Sequence, residues 1–421
     1  MTKARLSLQQ VVDGGLCSGC GACAYAQRDE IRMTDVPDAG LRPTPVDPEA
    51  RTLPEGDGAA VCPGGELGLD ASDFGTDTIA DLRAGWGPVR QLWEGAAADN
   101  ELRYSGSSGG AASALALYAL EAEQYEGVLH IAAREDIPYL NQTVISRSRA
   151  ELLARTGSRY APASPCDGLA AIEEGEGPFV FIGKPCDVAA TRKARRLRPE
   201  LDRNLGLTIA FFCAGVPSTR GTLEMLEKMG VSDPSTLRSL RYRGNGWPGK
   251  ATAVYSDEGD GTTSAQLSYE ESWGSVLTRH VQWRCRLCAD HTGEFADIAV
   301  GDPWYRPVEP GEAGSSLVLA RTERGRDFVL GAMTAGYLIA KPAAPDVLPR
   351  SQPNLLSVRG AVWGRIMTLR LIGAYSPSFR GLKTFRFWCS QLSPKAKLMS
   401  VVGTIKRCLK RRMHPAFHRS R

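Results

Sequence analysis

Four short runs in the middle of the chain are almost wholly apolar: VLHIAA (128–133), PFVFIG (178–183), LTIAFFC (207–213) and ADIAVGD (296–302). A half-solvated strand alternates apolar and polar residues, so continuous runs like these predict strands buried on both faces of an α/β sheet. The last three close on Gly, Cys or Asp. Between the runs, apolar residues at helical spacing predict helices over Gly110–Glu123, after Cys186 and over Thr219–Met229, and 303–345 reads as further mixed structure. Ligands of open α/β sheets bind outside the carboxyl ends of the strands, so the residues just after these runs are the first candidates for chemistry.

The two ends of the chain have a different texture. Residues 1–75 are rich in Gly, Pro and Asp and show little periodicity; such a segment can hardly build a core alone and reads as a small metal-folded module. After Asp346 there is no Asp or Glu, and 16 Lys and Arg follow, so the rest of the chain carries a net charge of −12. Within this tail Leu398, Val401, Val402, Ile405, Cys408 and Leu409 fall at helical spacing beside Lys406, Arg407, Lys410, Arg411 and Arg412, and Val362–Tyr375 is also amphipathic and basic. Such a helix lies on an anionic membrane surface, packs its stripe on the protein body, or steers an acidic electron-carrier protein. The reading taken is peripheral membrane contact. The expected organisation is α/β (α+β): a ferredoxin-like module over 1–75, a mixed-sheet domain over 86–345 with a split near 175, and a basic helical tail over 346–421.

Composition narrows the chemistry. With 421 residues, 43% hydrophobic and 23% charged, the chain reads as globular and modular. No stretch approaches the ~18–20 apolar residues that span a bilayer, and MTKARLSLQQVVDGG lacks the apolar core of a signal peptide. A cytoplasmic setting is therefore expected, with no nucleic-acid partner. Eleven cysteines in such a setting point to metal before disulfides.

Cys17, Cys20 and Cys23 stand two residues apart, and Cys62 follows after 38 residues with Pro63 directly behind it. A [4Fe–4S] cubane takes this pattern: small residues let the backbone wrap the cluster, and proline stiffens the approach of the fourth ligand. Zinc also takes four thiolates, but more often as two separated pairs. Cys186 follows one predicted strand, Cys213 closes another, and Cys285 and Cys288 precede a third. These four could form a second site, or Cys186 and Cys213 could be ordinary buried small residues. Cys166 reads as structural, and Cys389 and Cys408 as free thiols.

Tyr104-Ser-Gly-Ser-Ser-Gly-Gly110 leads directly into a predicted helix. Backbone N–H groups and hydroxyls at a helix start suit a pyrophosphate, and the spacing is not that of a dinucleotide-binding Rossmann turn. The cysteine triple, SGSSGG, TGSRY (156–160), GKPCDVAATRK (183–193), FFCAGVPS (211–218), RYRGNGW (241–247) and CRLC followed by ADIAVGDPW (296–304) come in an order that resembles the coenzyme F420 hydrogenase/dehydrogenase beta-subunit family, from about residue 10 to 345.

That resemblance implies an iron–sulfur flavoprotein oxidoreductase with FAD, an N-terminal [4Fe–4S] cluster and a second cluster, with coenzyme F420 as a further candidate. Cys17, Cys20, Cys23 and Cys62 match the first cluster, and Cys186, Cys213, Cys285 and Cys288 the second. Ser107, Ser108, Gly109 and Gly110 suit the FAD phosphates, and Ser158, Arg159, Tyr160 and Lys184 are partners for the flavin. Arg159 and Lys184 are read as catalytic cations that favour reduced flavin, the alternative being surface or cluster-compensating charges. His280 is the candidate proton donor, against a supporting or solvent role. Asp297, Asp302 and Trp304 read as loop-capping more readily than as site residues. The expected partner is a ferredoxin-like donor or a hydrogenase or reductase subunit. The alternative is an electron-transfer subunit or accessory reductase, with surface polysaccharide synthesis as one setting.

Overall fold

The four apolar runs become four neighbouring parallel strands at the centre of an eight-stranded sheet. A computed structural model describes residues 5–256, 261–309 and 311–417. The strands of the sheet are β1 (Gln91–Ala97), β2 (Gly127–Ala133), β3 (Asn141–Ser146), β4 (Phe179–Gly183), β5 (Leu205–Phe211), β6 (Ile298–Gly301), β7 (Ser316–Ala320) and β8 (Leu338–Pro342). Their spatial order is β8-β1-β7-β6-β5-β4-β2-β3. Strands β2, β4, β5 and β6 run parallel; β3 pairs antiparallel with β2 on one side, and on the other β7, β1 and β8 follow, each antiparallel to its neighbour.

Both faces are covered, which is why the central strands read as unbroken apolar runs. Val180 and Ile182 of β4 point to one core with Leu115 and Val329, from helices Ala111–Glu121 and Glu323–Thr334. Phe179 and Phe181 point to the other core with Val188 and Ala190 of helix Pro185–Arg195. A separate antiparallel sheet (Leu237–Arg241, Ala251–Ser256, Thr262–Leu267) packs with helix Thr219–Lys228 around Met225, Leu240 and Tyr242.

The N-terminal segment does not depend only on its own few apolar residues: Ala22, Tyr25, Val61 and Leu67 join the second core. Its cysteine loop is bedded on residues 161–168, where Cys166 N donates to the Cys20 carbonyl at 2.9 Å and Ser164 Oγ to the Gly19 carbonyl at 2.7 Å. From the basic C-terminal segment, helix Leu355–Leu371 adds Val362 and Ile366 to the same core. Arg359, 1% exposed, makes a two-bond pair with Glu294 at 2.5 and 3.1 Å.

Candidate functional site

The carboxyl ends of β4, β5 and β6 open into a cavity of about 280 Å³. Its walls are the loop and helix start around Gly106–Ser113, the segment Thr156–Tyr160, Lys184, the stretch Phe211–Pro217, and Arg243, Tyr269 and Trp273. Gly109 and Gly110 both have left-handed backbone, at φ +70° and +71°, a conformation that glycine adopts without steric cost. Gly110 begins the helix, and a side chain there would meet the Leu102 carbonyl at 2.5 Å. Ser107 Oγ accepts a hydrogen bond from Ser158 N at 2.6 Å, so the loop and the segment around Tyr160 form one wall. Ser108 Oγ donates to the Ser315 carbonyl at 3.0 Å. Gly109 is not among the lining residues; it lies against the Ser315 backbone, where an added Cβ would stand 2.7 Å from Cα.

The three side chains expected to act in catalysis have different settings. Lys184 lines the cavity with Nζ 2.7 Å from Asp187. Burial works to lower its ammonium, but Asp187 and the thiols Cys186 and Cys213 outweigh that and hold it above the ordinary lysine range. Arg159 also reaches the wall, yet its guanidinium is already bonded to Asn141 Oδ1 and to the carbonyls of Leu240, Pro138 and Leu140 at 2.7 to 3.1 Å. It therefore clamps the wall in place. His280 is not among the lining residues; its Nε2 lies 2.7 Å from Glu224 Oε2.

Arg243 is, with Arg155, one of two cavity cations that sequence reasoning passed over. Its side chain is 3% exposed and grips Asp302 through two hydrogen bonds, at 2.5 and 2.9 Å. Burial opposes its charge, and Asp302 more than offsets that, so Arg243 stays protonated. Trp247 Nε1 also donates to Asp302 at 2.7 Å. Trp304 stacks between Trp247 and Tyr269 with centroids 4.9 and 5.6 Å away, and the guanidinium sits over Tyr269 and Trp304. Asp302 thus anchors an aromatic and cationic wall. Asp297 is a loop acceptor, taking hydrogen bonds from Thr208 and Thr322.

The thiols fall into two groups. Cys17, Cys20, Cys23 and Cys62 line one small cavity with Leu8, Val11, Met33 and Pro43. Gly19 N and Gly64 N point at the sulfurs of Cys17 and Cys62, each at 3.4 Å. Burial, then Cys20 and Cys17, pushes the Cys62 thiol up to about 12. In the second group Cys186 senses Cys213 and Cys288, and burial followed by Cys285 pushes Cys213 up to about 12. Cys213 also lines the large cavity.

Each group offers four thiols, the donor set that a [4Fe–4S] cluster takes. Among the described residues no three His, Cys, Asp or Glu converge closely enough to hold one metal ion. Arg284 points the same way. It is 2% exposed, and among the described residues its Nε and Nη1 have no hydrogen-bond partner. Its charge is felt by Cys17 of the first group and by Cys285 and Cys288 of the second. An unpaired buried cation is costly, and anionic clusters on both sides would offset it.

The sequence profile for the N-terminal part of "Coenzyme F420 hydrogenase/dehydrogenase, beta subunit" matches residues 92–170, and the profile for its C-terminal part matches 178–346. Together they take in the central sheet and the walls of the large cavity. The chain belongs to the coenzyme F420 hydrogenase/dehydrogenase beta-subunit family. Similar family members include the coenzyme F420 hydrogenase subunit beta of Methanosarcina barkeri, 24% identical over 58% of this chain and 79% of that protein. The F420-dependent formate dehydrogenase subunit beta of Methanocaldococcus jannaschii is 24% identical over 62% of this chain and 65% of that protein. A chain in the solved F420-reducing [NiFe] hydrogenase complex of Methanosarcina barkeri shares the fold, with a TM-score of 0.52 and 21% identity over 67% of this chain and 94% of that one. These family members are subunits of oxidoreductases.

Arg243, Tyr269, Trp273, Arg155 and His130 line the cavity but were not singled out from the sequence. The RYRGNGW and DPW segments carried the signal for the Arg243–Asp302 pair, since a buried arginine needs an acid and these are brought together only by the fold.

Proposed function

We propose that the chain is an iron–sulfur flavoprotein oxidoreductase in which two [4Fe–4S] clusters, one on each thiol group, exchange electrons with FAD held in the cavity above β4, β5 and β6. The observation that carries this reading is the position of Cys213, which belongs to the second thiol group and also forms part of the cavity wall. An acceptor in the cavity would lie beside that cluster. Bound together, clusters that carry single electrons and a flavin that handles one or two would couple one-electron to two-electron chemistry.

The chain's own residues have defined parts in this reading. Ser107 offers a hydroxyl and Gly110 a helix start to the pyrophosphate, and Ser108, bonded to the Ser315 carbonyl, holds the loop that presents them. Tyr160, Tyr269 and Trp273 supply aromatic wall, and Lys184 and Arg243 supply positive charge that favours a reduced, anionic ring. Arg159 holds the wall in position. His130 is the imidazole among the cavity residues, with Nε2 2.8 Å from Ser146 Oγ, while His280, paired with Glu224, lies outside the lining.

Anaerobic purification followed by iron, labile-sulfide and flavin analysis tests the reading. About eight irons with matching sulfide and one flavin per chain are expected, and zinc without sulfide would overturn it. Coenzyme F420, a ferredoxin and NAD(P)H would then be compared as donors. The relatives' place in hydrogenase and formate dehydrogenase favours a partner enzyme, with this chain as its electron-transfer subunit.

A further inference from the structure

The C-terminal helix Pro394–Lys410 reverses the usual arrangement of an amphipathic helix. It meets the body through Ser400, Thr404 and Cys408, which are four residues apart and 5%, 1% and 0% exposed. Gly364 of helix Leu355–Leu371 allows this close approach: a side chain there would come within 2.3 Å of Ser400 Oγ. The two hydroxyls are satisfied inside their own helix, by the carbonyls of Lys397 and Ser400. A small-residue seam thus does the packing, and the large aliphatics are turned away from it. Leu398, Met399 and Leu409 are 62%, 59% and 58% exposed, and Val402 and Ile405 between them are half-buried.

A helix of a globular protein normally buries its large apolar residues and exposes its small polar ones. Seven of the fifteen large apolar side chains exposed among the described residues lie beyond Asp346. In the same segment of sequence there is no carboxylate side chain. Lys395, Lys406 and Lys410 are exposed, and none has an ion-pair partner among the described residues.

We propose that this face docks on the surface of an anionic lipid bilayer, with Leu398, Ile405 and Leu409 entering the boundary between headgroups and acyl chains and the lysines meeting lipid phosphates. Each basic residue near such a surface adds on the order of 1 kcal/mol, and the aliphatics add their buried area. The helix lies on the membrane and does not cross it, since among the described residues no helix is long and apolar enough to span. The body, with a net charge of −12 before Val347, is repelled by the same surface, so the molecule is oriented with its tail inward. A second copy is a poor occupant, because joining two such faces would bring their lysines together without acids between them. This inference is independent of which cofactors the protein binds.

The test is flotation of the full-length protein with phosphatidylcholine vesicles, with and without phosphatidylglycerol, at low and high salt. Binding is expected only to the anionic vesicles and is expected to weaken with salt. Lys395→Glu/Lys406→Glu/Lys410→Glu and, separately, Leu398→Ser/Leu409→Ser should each reduce bound protein by about tenfold or more. Their circular dichroism and iron content should match wild type, since all five positions are exposed. The proposal falls if wild type ignores anionic vesicles, or if either variant floats as well as wild type. It falls equally if sedimentation shows a dimer without lipid that Leu398→Ser/Leu409→Ser dissociates.

Discussion

Arg284 Nη2 donates to the carbonyl oxygen of Pro63 at 3.0 Å. That one bond joins the residue after Cys62, the last thiol of the first group, to the residue before Cys285 of the second. The guanidinium has two further nitrogens without partners among the described residues, and its charge reaches thiols on both sides. With Arg42, whose charge also reaches Cys17 and Cys285, it gives the two proposed clusters a shared electrostatic environment.

Replacing Arg284 by Met should therefore lower the reduction potentials of both clusters, because a nearby positive charge favours the added electron. A unit charge at several ångström in a medium of effective dielectric ~20 is worth roughly 1–2 kcal/mol, or on the order of 60 mV for a one-electron couple. Arg284→Lys should restore most of the shift. Redox titration followed by EPR reads this directly, and a change in one cluster alone would show that Arg284 serves only that side.

Cys20→Ser and Cys288→Ser should each remove one cluster and roughly half of the iron. Cys20→Ser should also loosen the N-terminal segment, measured as faster proteolysis upstream of about residue 70, because a cluster there would tie the loop of Cys17, Cys20 and Cys23 to Cys62. Full iron content in either variant would contradict the ligand assignment.

Ser107→Asp probes the anion-binding wall. A carboxylate can still accept the Ser158 N–H, but it places negative charge where a pyrophosphate would sit. Flavin should be lost while iron stays. Gly109→Asp is a poorer probe, since its Cβ would press on the Ser315 backbone and disturb the fold first. Retention of flavin in Ser107→Asp would move the phosphates elsewhere.

Asp302→Ala would leave Arg243 buried without its acid and take the acceptor from the Trp247 indole. A loss of about 3 kcal/mol or more in unfolding free energy is expected, the usual scale for breaking one side of a buried pair. Flavin affinity should fall with it. Asp302→Ala with Arg243→Met should recover much of the stability without the affinity, which urea unfolding and flavin titration would separate.

His130 gives the protein an acid-sensitive element. Burial, with Arg155 adding to it, holds its imidazole down to about 4. An unfolded histidine titrates near ~6.5, so between roughly pH 6.5 and 4 the unfolded chain binds the extra proton. The stability tied to neutral His130 is fully present above that window and is lost as pH falls through it, by on the order of 3 kcal/mol in total. His130→Asn should flatten the fall of Tm with pH in the window. An unchanged slope would assign the acid sensitivity to other groups.

The parts of the architecture with strong local signals were legible in the sequence. All four predicted strands occur, because a strand buried on both faces carries few polar residues and so announces itself. The flanking strands β1, β3, β7 and β8 escaped notice. Strand β3, NQTVIS, is mostly polar, and β1 mixes Glu94 and Gly95 into its run, so neither shows continuous apolarity. The thiol spacings of Cys17, Cys20 and Cys23 were equally plain. His280 was singled out because it stands near CRLC, yet proximity in sequence did not bring it to the cavity; Glu224, more than fifty residues away, holds it instead. Arg243 and Asp302 lie 59 residues apart in the chain, and no local pattern encodes their partnership.

The segment from Ser158 to Asp167 has two employments. Its first residues, Ser158 to Tyr160, form the wall of the large cavity, and its last, Ser164 to Asp167, form the bed on which Gly19, Cys20 and Gly21 rest. The two proposed cofactor sites therefore share one support. In a chain made without iron the cysteine loop would press less firmly on that support, and the cavity wall continuous with it would be less sharply defined. In cells short of iron, newly made protein would be deficient in flavin as well.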